Sequence, residues 1–153
     1  MGILISNRQE RLPIMLEKIR KKAQVILNAL GSPESELSIV VVGDSEIASL
    51  NSEYLHRKGP TNVIAFPMQE GEFSGVNPGL LGDVVISIDT AEKESKVAGI
   101  DIEERFDELL VHGILHLFGY DHVSDEGEAQ LMEEKSHELL ILLRKDGGNE
   151  WLD

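Results

Sequence analysis

The chain has 153 residues, 41% of them apolar, which is enough for one domain with a sizeable core. No apolar run approaches the roughly 20 residues of a membrane span, and the absence of cysteine excludes a disulfide scaffold and fits a reducing cytoplasm. The net charge of −14 speaks against gross affinity for nucleic acid, but it is uneven: residues 1–66 balance at +1 and residues 67–153 at −15.

Gly2–Ser6 reads as a strand, which explains these residues better than the N-myristoylation pattern that Met1 to Ser6 formally match. Met1 to Glu10 also lack the basic and apolar runs of a secretory signal. Leu12 to Leu30 carry apolar residues at helical spacing and stop at Gly31. This helix bears a basic cluster, Lys18, Arg20, Lys21 and Lys22, which is either a phosphate-facing patch or a solvated helix face. Leu37–Val42 is apolar and β-branched, hence a buried strand, and Asp44 is placed to cap a helix through Ala48, Leu50 and Tyr54.

A loop with a second basic cluster, Arg57 and Lys58 beside His56, leads to a short strand, Val63–Phe66. Pro67 closes this strand and suits a sheet edge. A Gly- and Pro-bearing loop over 69–81 precedes a strand over Val84–Ile88. Asp89 with Glu92 and Asp101 with Glu104 each form a D-x-x-E helix start, with Gly99 as the stop between them. Asp125 with Glu128 opens a last helix containing Leu131, Met132, Leu139, Leu140 and Leu143, and residues 146–153 form a frayed end. The pattern predicts an α+β fold over 1–153: a single small mixed β-sheet covered by helices, with a central buried helix.

That central helix carries the chemistry. His112 and His116 are four residues apart, so on a helix they share a face, and Gly119 supplies a left-handed stop that lets the chain return with His122. The flanks Leu109, Leu110, Val111, Ile114, Leu115, Leu117 and Phe118 are apolar, and polar rings on a buried helix need partners. One shared metal satisfies them. Three imidazoles without a fourth protein ligand is the open pattern of a catalytic zinc, one ion per chain. The spacing overlaps the zincin motif H-E-x-x-H-x-x-G-x-x-H, but Gly113 stands where the general-base glutamate belongs. Asp121 is placed to orient an imidazole ring as a carboxylate behind a ligand, whereas His56 and His137 read as surface residues.

The run H-G-x-L-H-L-x-G-Y-D-H from His112 to His122 resembles the signature of the YbeY family of bacterial metal-dependent endoribonucleases. Leu50-Asn51, Tyr54 and Pro60 to Pro67 agree with it, as do Leu81 to Ser87. The resemblance implies a zinc held by His112, His116 and His122. It also implies cleavage of single-stranded RNA near the 3′ end of the small-subunit ribosomal RNA, and a part in ribosome quality control. The implied partners are ribosomal RNA and the small subunit, not DNA or a membrane, and the implied location is the cytoplasm.

One departure stands out: the family reads Arg-Gly-x-Asp after the tyrosine, whereas here Leu55, His56, Arg57 and Lys58 follow Tyr54. The family arginine is therefore not carried over, and Arg57 is the candidate to replace it, with Lys58, Thr61 and Asn62 as candidate RNA contacts. Thr61 and Asn62 fit ordinary turn chemistry equally well. Two rival readings stay open at the level of sequence. One is a zincin-like metallopeptidase, against which Gly113 speaks; the other is a non-catalytic ribosome assembly factor stabilised by zinc.

Overall fold

The computed structural model describes residues 2–68, 80–120 and 126–145. Four strands, β1 (Ile3–Asn7), β2 (Glu36–Val42), β3 (Val63–Pro67) and β4 (Leu80–Ser87), form one sheet in the order β1-β2-β4-β3. β1, β2 and β4 run parallel, and β3 lies antiparallel to β4 at the edge. The mixed sheet is as the sequence predicts, including Pro67 on an edge strand, where its missing N–H costs no interior ladder bond.

Strand alternation divides the molecule into two unequal cores. Leu37, Ile39 and Val41 of β2 and Val84 and Ile86 of β4 face the larger one, which also receives Val63 and Ala65 of β3. That side is covered by α1 (Leu16–Ala29), α3 (Ile88–Ala98), α4 (Ile102–Leu117) and α5 (Glu126–Lys145). Val42, Ile64 and Val85 face the other way and pack with Val40, Phe66, and Ile47 and Leu50 of α2 (Asp44–Leu55). β3 thus has α4 on one face and α2 on the other.

Several boundaries differ from the sequence reading. The first helix begins at Leu16, not Leu12, because Pro13 holds Leu12 extended; the Leu12 N–H and C=O are taken by the Gln9 side chain. β4 begins at Leu80, inside the stretch read as a loop, with Gly82 paired to Leu37 and Pro67. Asp44 does not cap α2. Gly43 occupies the cap, and the Asp44 carboxylate instead accepts from Ser87 (2.7 Å), Thr90 (2.5 Å) and Lys93 (2.7 Å), tying α2 to the β4–α3 corner. Ser87, not Asp89, caps α3 by accepting from the Thr90 N–H. Residues 69–79, Asp125 and the tail 146–153 lie outside the described residues.

The basic cluster on α1 is also reassigned. Lys22 is 6% exposed and its Nζ lies 3.1 Å from Asp107 Oδ2 of α4, so it is a core residue rather than part of a surface patch. Arg20 is spent on Glu17 and on the Ile3 carbonyl. Only Lys18 and Lys21 of the cluster remain without an ion partner among the described residues.

Candidate functional site

α4 is buried by Phe106, Leu109, Leu110, Val111, Ile114, Leu115 and Leu117, a ring of apolar residues that seats it against both the sheet and α5. Each such side chain contributes roughly 1.5–3 kcal/mol on burial, so the helix axis is fixed by packing alone. It stops in a Schellman turn: the Tyr120 N–H reaches the Leu115 carbonyl (3.1 Å) and the Gly119 N–H reaches that of His116 (3.0 Å), with Gly119 at φ 93°. The left-handed stop expected at Gly119 is therefore present. His122 and Asp121 lie beyond it, outside the described residues.

His112 and His116 are half-buried on the same face of α4, their ring centroids 4.6 Å apart and their planes inclined by 66°. Their Nε2 atoms converge to 3.1 Å. Two neutral imidazoles aim lone pairs at each other at that distance unless a proton or a cation lies between them. Ligands of one tetrahedral zinc at 2.0–2.1 Å would stand about 3.3 Å apart, so the pair fits a shared ion with little movement. Among the described residues, no third histidine, aspartate or glutamate stands close enough to complete such a set.

Gly113 has a packing reason. A Cβ there would lie 2.6 Å from Val84 Cγ1 and 3.2 Å from Val63 Cγ2, because the helix backbone rests directly on β3 and β4. The position of the zincin glutamate thus points into the core. A carboxylate there would meet valine side chains and no substrate.

A cleft of about 280 Å³ opens beside His112, lined by Asn62, Val63, Arg105, Glu108, Leu109, Ser136 and Leu140. Arg105 is its charged centre, donating to Glu94 (3.0 Å) and Glu108 (2.7 Å). Burial works against the Arg105 charge, but these two carboxylates outweigh it and hold the guanidinium above its ordinary value. Asn62 joins the same cluster: its amide donates to both Glu94 oxygens (3.3 Å), its Oδ1 accepts from the Val63 N–H (2.7 Å), and its carbonyl accepts from the Ser87 N–H. Sequence reasoning singled out Asn62 but not Arg105, Glu94 or Glu108. The signal was present for Glu108, which precedes His112 by the same four-residue step that separates His112 from His116.

The second basic cluster lies in the loop between α2 and β3. His56, Arg57 and Lys58 are all exposed, so His56 is a surface residue as read; His137 of α5 is likewise exposed. His56 sits in the left-handed region at φ 57° and caps α2. Neither Arg57 nor Lys58 has an ion partner among the described residues, whereas Arg8, Arg11, Arg20, Lys22, Lys93, Arg105, Lys135 and Arg144 all do. Lys58 stands four positions before Asn62 of the cleft, a span of at most about 14 Å. Thr61, between loop and cleft, is half-buried.

Fold and site together define a class: a small α+β domain whose core helix carries two converging imidazoles, His112 of them lining a cleft, with an exposed basic loop leading towards it. Comparison with known proteins agrees. The family model described as Endoribonuclease YbeY matches residues 4–144. Proteins named Endoribonuclease YbeY from Geobacter metallireducens and Aquifex aeolicus are 51% and 44% identical to this chain, covering 96% and 84% of it and 99% and 84% of their own lengths. A solution structure from Thermotoga maritima superposes at TM-score 0.68 over 94% of this chain and 90% of its own, at 24% identity, which supports the fold. This chain belongs to the YbeY family of endoribonucleases.

Proposed function

We propose that this chain is a zinc-dependent endoribonuclease specific for single-stranded RNA. It would act in maturation of the small-subunit ribosomal RNA 3′ end and in ribosome quality control, in the cytoplasm. The observation that carries this reading is the convergence of the His112 and His116 Nε2 atoms to 3.1 Å beside a polar cleft, in a chain of this family. His112 and His116 would hold the ion, with His122 as third ligand and Asp121 orienting one of the rings. When bound, zinc supplies Lewis acidity toward a phosphate oxygen and a nucleophile at neutral pH.

The remaining work falls to side chains. Arg57 and Lys58, without ion partners among the described residues, hold the phosphates of the incoming strand against the repulsion of an acidic protein. Charge that develops on the phosphate is offset by the same cations. Thr61 and Asn62 stand where ribose or backbone oxygens pass from the loop into the cleft. Single strands are favoured because their unstacked bases and flexible backbone can adapt to a small cleft, whereas a duplex offers mainly its fixed shape.

The test is cleavage of a single-stranded RNA and its duplex by metal-free, zinc-loaded and His116→Ala protein, with metal content and melting temperature measured on the same samples. The reading requires cleavage of the single strand by the zinc-loaded sample alone and little zinc in His116→Ala. Cleavage by the metal-free and His116→Ala proteins at the rate of the zinc-loaded protein overturns it.

A further inference from the structure

We infer that Asn51 is a positioning residue of the RNA site, closing the loop 56–59 at both ends from the buried side of α2 and so fixing where Arg57 and Lys58 stand. This rests on the reading of that loop as the phosphate-holding element.

Five polar or charged residues are buried among those described: Lys22, Asn51, Ser87, Ser95 and Asp107. Lys22 and Asp107 pair with each other, Ser87 joins Asp44 at a helix cap, and Ser95 bonds back to Glu92 of its own helix. The Asn51 side chain instead reaches out to a loop. It is 4% exposed, and its Nδ2 donates to the Gly59 carbonyl at 2.9 Å. Its own carbonyl accepts from the Arg57 N–H at 3.2 Å and from the His56 N–H that caps α2. Asparagine is a poor helix former and costs free energy when buried, so its place in the last turns of α2 is explained by the side-chain bond to Gly59, which adds to the main-chain bonds any residue there would make.

The loop needs such a tether. It contains two residues with positive φ, His56 (57°) and Gly59 (86°), and for a non-glycine residue that conformation costs on the order of 1 kcal/mol unless its surroundings impose it. The helix end to which it is tied is itself anchored, because Tyr54 meets the Phe66 ring of β3 edge-on at 5.6 Å. Charge gives the reason for holding the loop. Asp and Glu outnumber Lys and Arg 28 to 14, and a loose basic loop would fold onto neighbouring carboxylates, as most of the other cations have done. With its backbone pinned at residues 57 and 59, the loop presents Arg57 and Lys58 to solvent.

The experiment measures binding, not turnover. A short 2′-O-methyl single-stranded oligonucleotide, which resists cleavage, is titrated across a salt series into wild type, Asn51→Asp, Asn51→Ser, Arg57→Ala/Lys58→Ala, and the triple variant Asn51→Asp/Arg57→Ala/Lys58→Ala. Asn51→Asp keeps the shape but loses the donor and sets a carboxylate against the Gly59 carbonyl; Asn51→Ser removes the bond without adding charge. Loss of both cations should lower the salt slope by about 1.4, roughly 0.7 for each single-strand phosphate contact. Both Asn51 variants should lower affinity and slope in the same direction, and the triple variant should bind no more weakly than Arg57→Ala/Lys58→Ala. Amide exchange at Arg57 should speed up in both Asn51 variants while the amides of α4 stay protected.

If the Asn51 variants bind like wild type while Arg57→Ala/Lys58→Ala is weakened, the positioning role falls and the loop reading stands. If the triple variant is weaker than the double by the full Asn51→Asp effect, Asn51 acts independently of the loop and the inference is overturned. If Arg57→Ala/Lys58→Ala binds like wild type, the loop reading itself fails and the Asn51 role goes with it.

Discussion

Lys22 Nζ of α1 and Asp107 Oδ2 of α4 meet at 3.1 Å inside the larger core, at 7% and 4% side-chain exposure. The pair bolts the first helix to the histidine helix, and its second oxygen, Asp107 Oδ1, is buried without a hydrogen-bond partner among the described residues. Removing one partner of such a pair strands the other in a low dielectric. Lys22→Met should therefore cost about 3–5 kcal/mol in chemical denaturation, whereas Lys22→Met/Asp107→Leu should recover most of that loss. A double variant as unstable as Lys22→Met would show that packing, not charge, is at stake there.

The same carboxyl sets a pH dependence. Burial pushes Asp107 up from 3.8 to about 6, against the pull of Lys22. A carboxyl that holds its proton more tightly when folded favours the fold in acid. Its contribution is full below about pH 4, declines as pH rises to about 6 and is flat above that. The stability of wild type relative to Asp107→Asn should accordingly fall between pH 4 and 6.5, by no more than about 3 kcal/mol. Denaturant melts of both proteins over that range check this, and a constant difference would refute it.

On the proposed reading, His112, His116 and His122 bind about one zinc per chain, and elemental analysis should find well under half of that in His112→Ala and in His116→Ala. Protonated imidazole cannot ligate, so zinc affinity should fall on acidification. α4 is seated by apolar packing, so the metal-free protein should still melt cooperatively. Unfolding on chelation would instead favour a structural ion.

Gly113 should tolerate no side chain. The added methyl in Gly113→Ala would stand 2.6 Å from Val84 Cγ1, and overpacking of this kind costs about 1–3 kcal/mol. Gly113→Ala/Val84→Ala should regain part of that in thermal melts, since the clash is with this one side chain first. A Gly113→Ala variant with wild-type stability would mean that α4 sits farther from the sheet than described.

Much of this was legible along the chain. The period of apolar residues gave α1, α4 and α5; the β-branched run gave β2; Pro67 marked an edge strand; and the four-residue step from His112 to His116 placed two rings on one face. All of these are local, because helix and strand periods dictate which residues share a side. Gly113, read first as a missing glutamate, is explained only by the sheet beneath it.

Three residues depended on partners far away in sequence, which no period reveals. Lys22 belonged to a basic run until Asp107, 85 residues later, drew it into the core. Asp44 had the composition of a helix cap, yet Ser87, Thr90 and Lys93 claim its carboxylate. Asn62 was read as a candidate RNA contact or a turn residue and is held by Glu94. Arg57 gained its interest from what it lacks, an ion partner among the described residues, in a chain where most other cations have one. The sequence by itself determined the elements and the histidine spacing, since these follow from backbone geometry and side-chain period. Only the tertiary structure decided which charges are spent on the fold and which remain for a ligand, because pairing depends on distances between elements that the chain order does not encode.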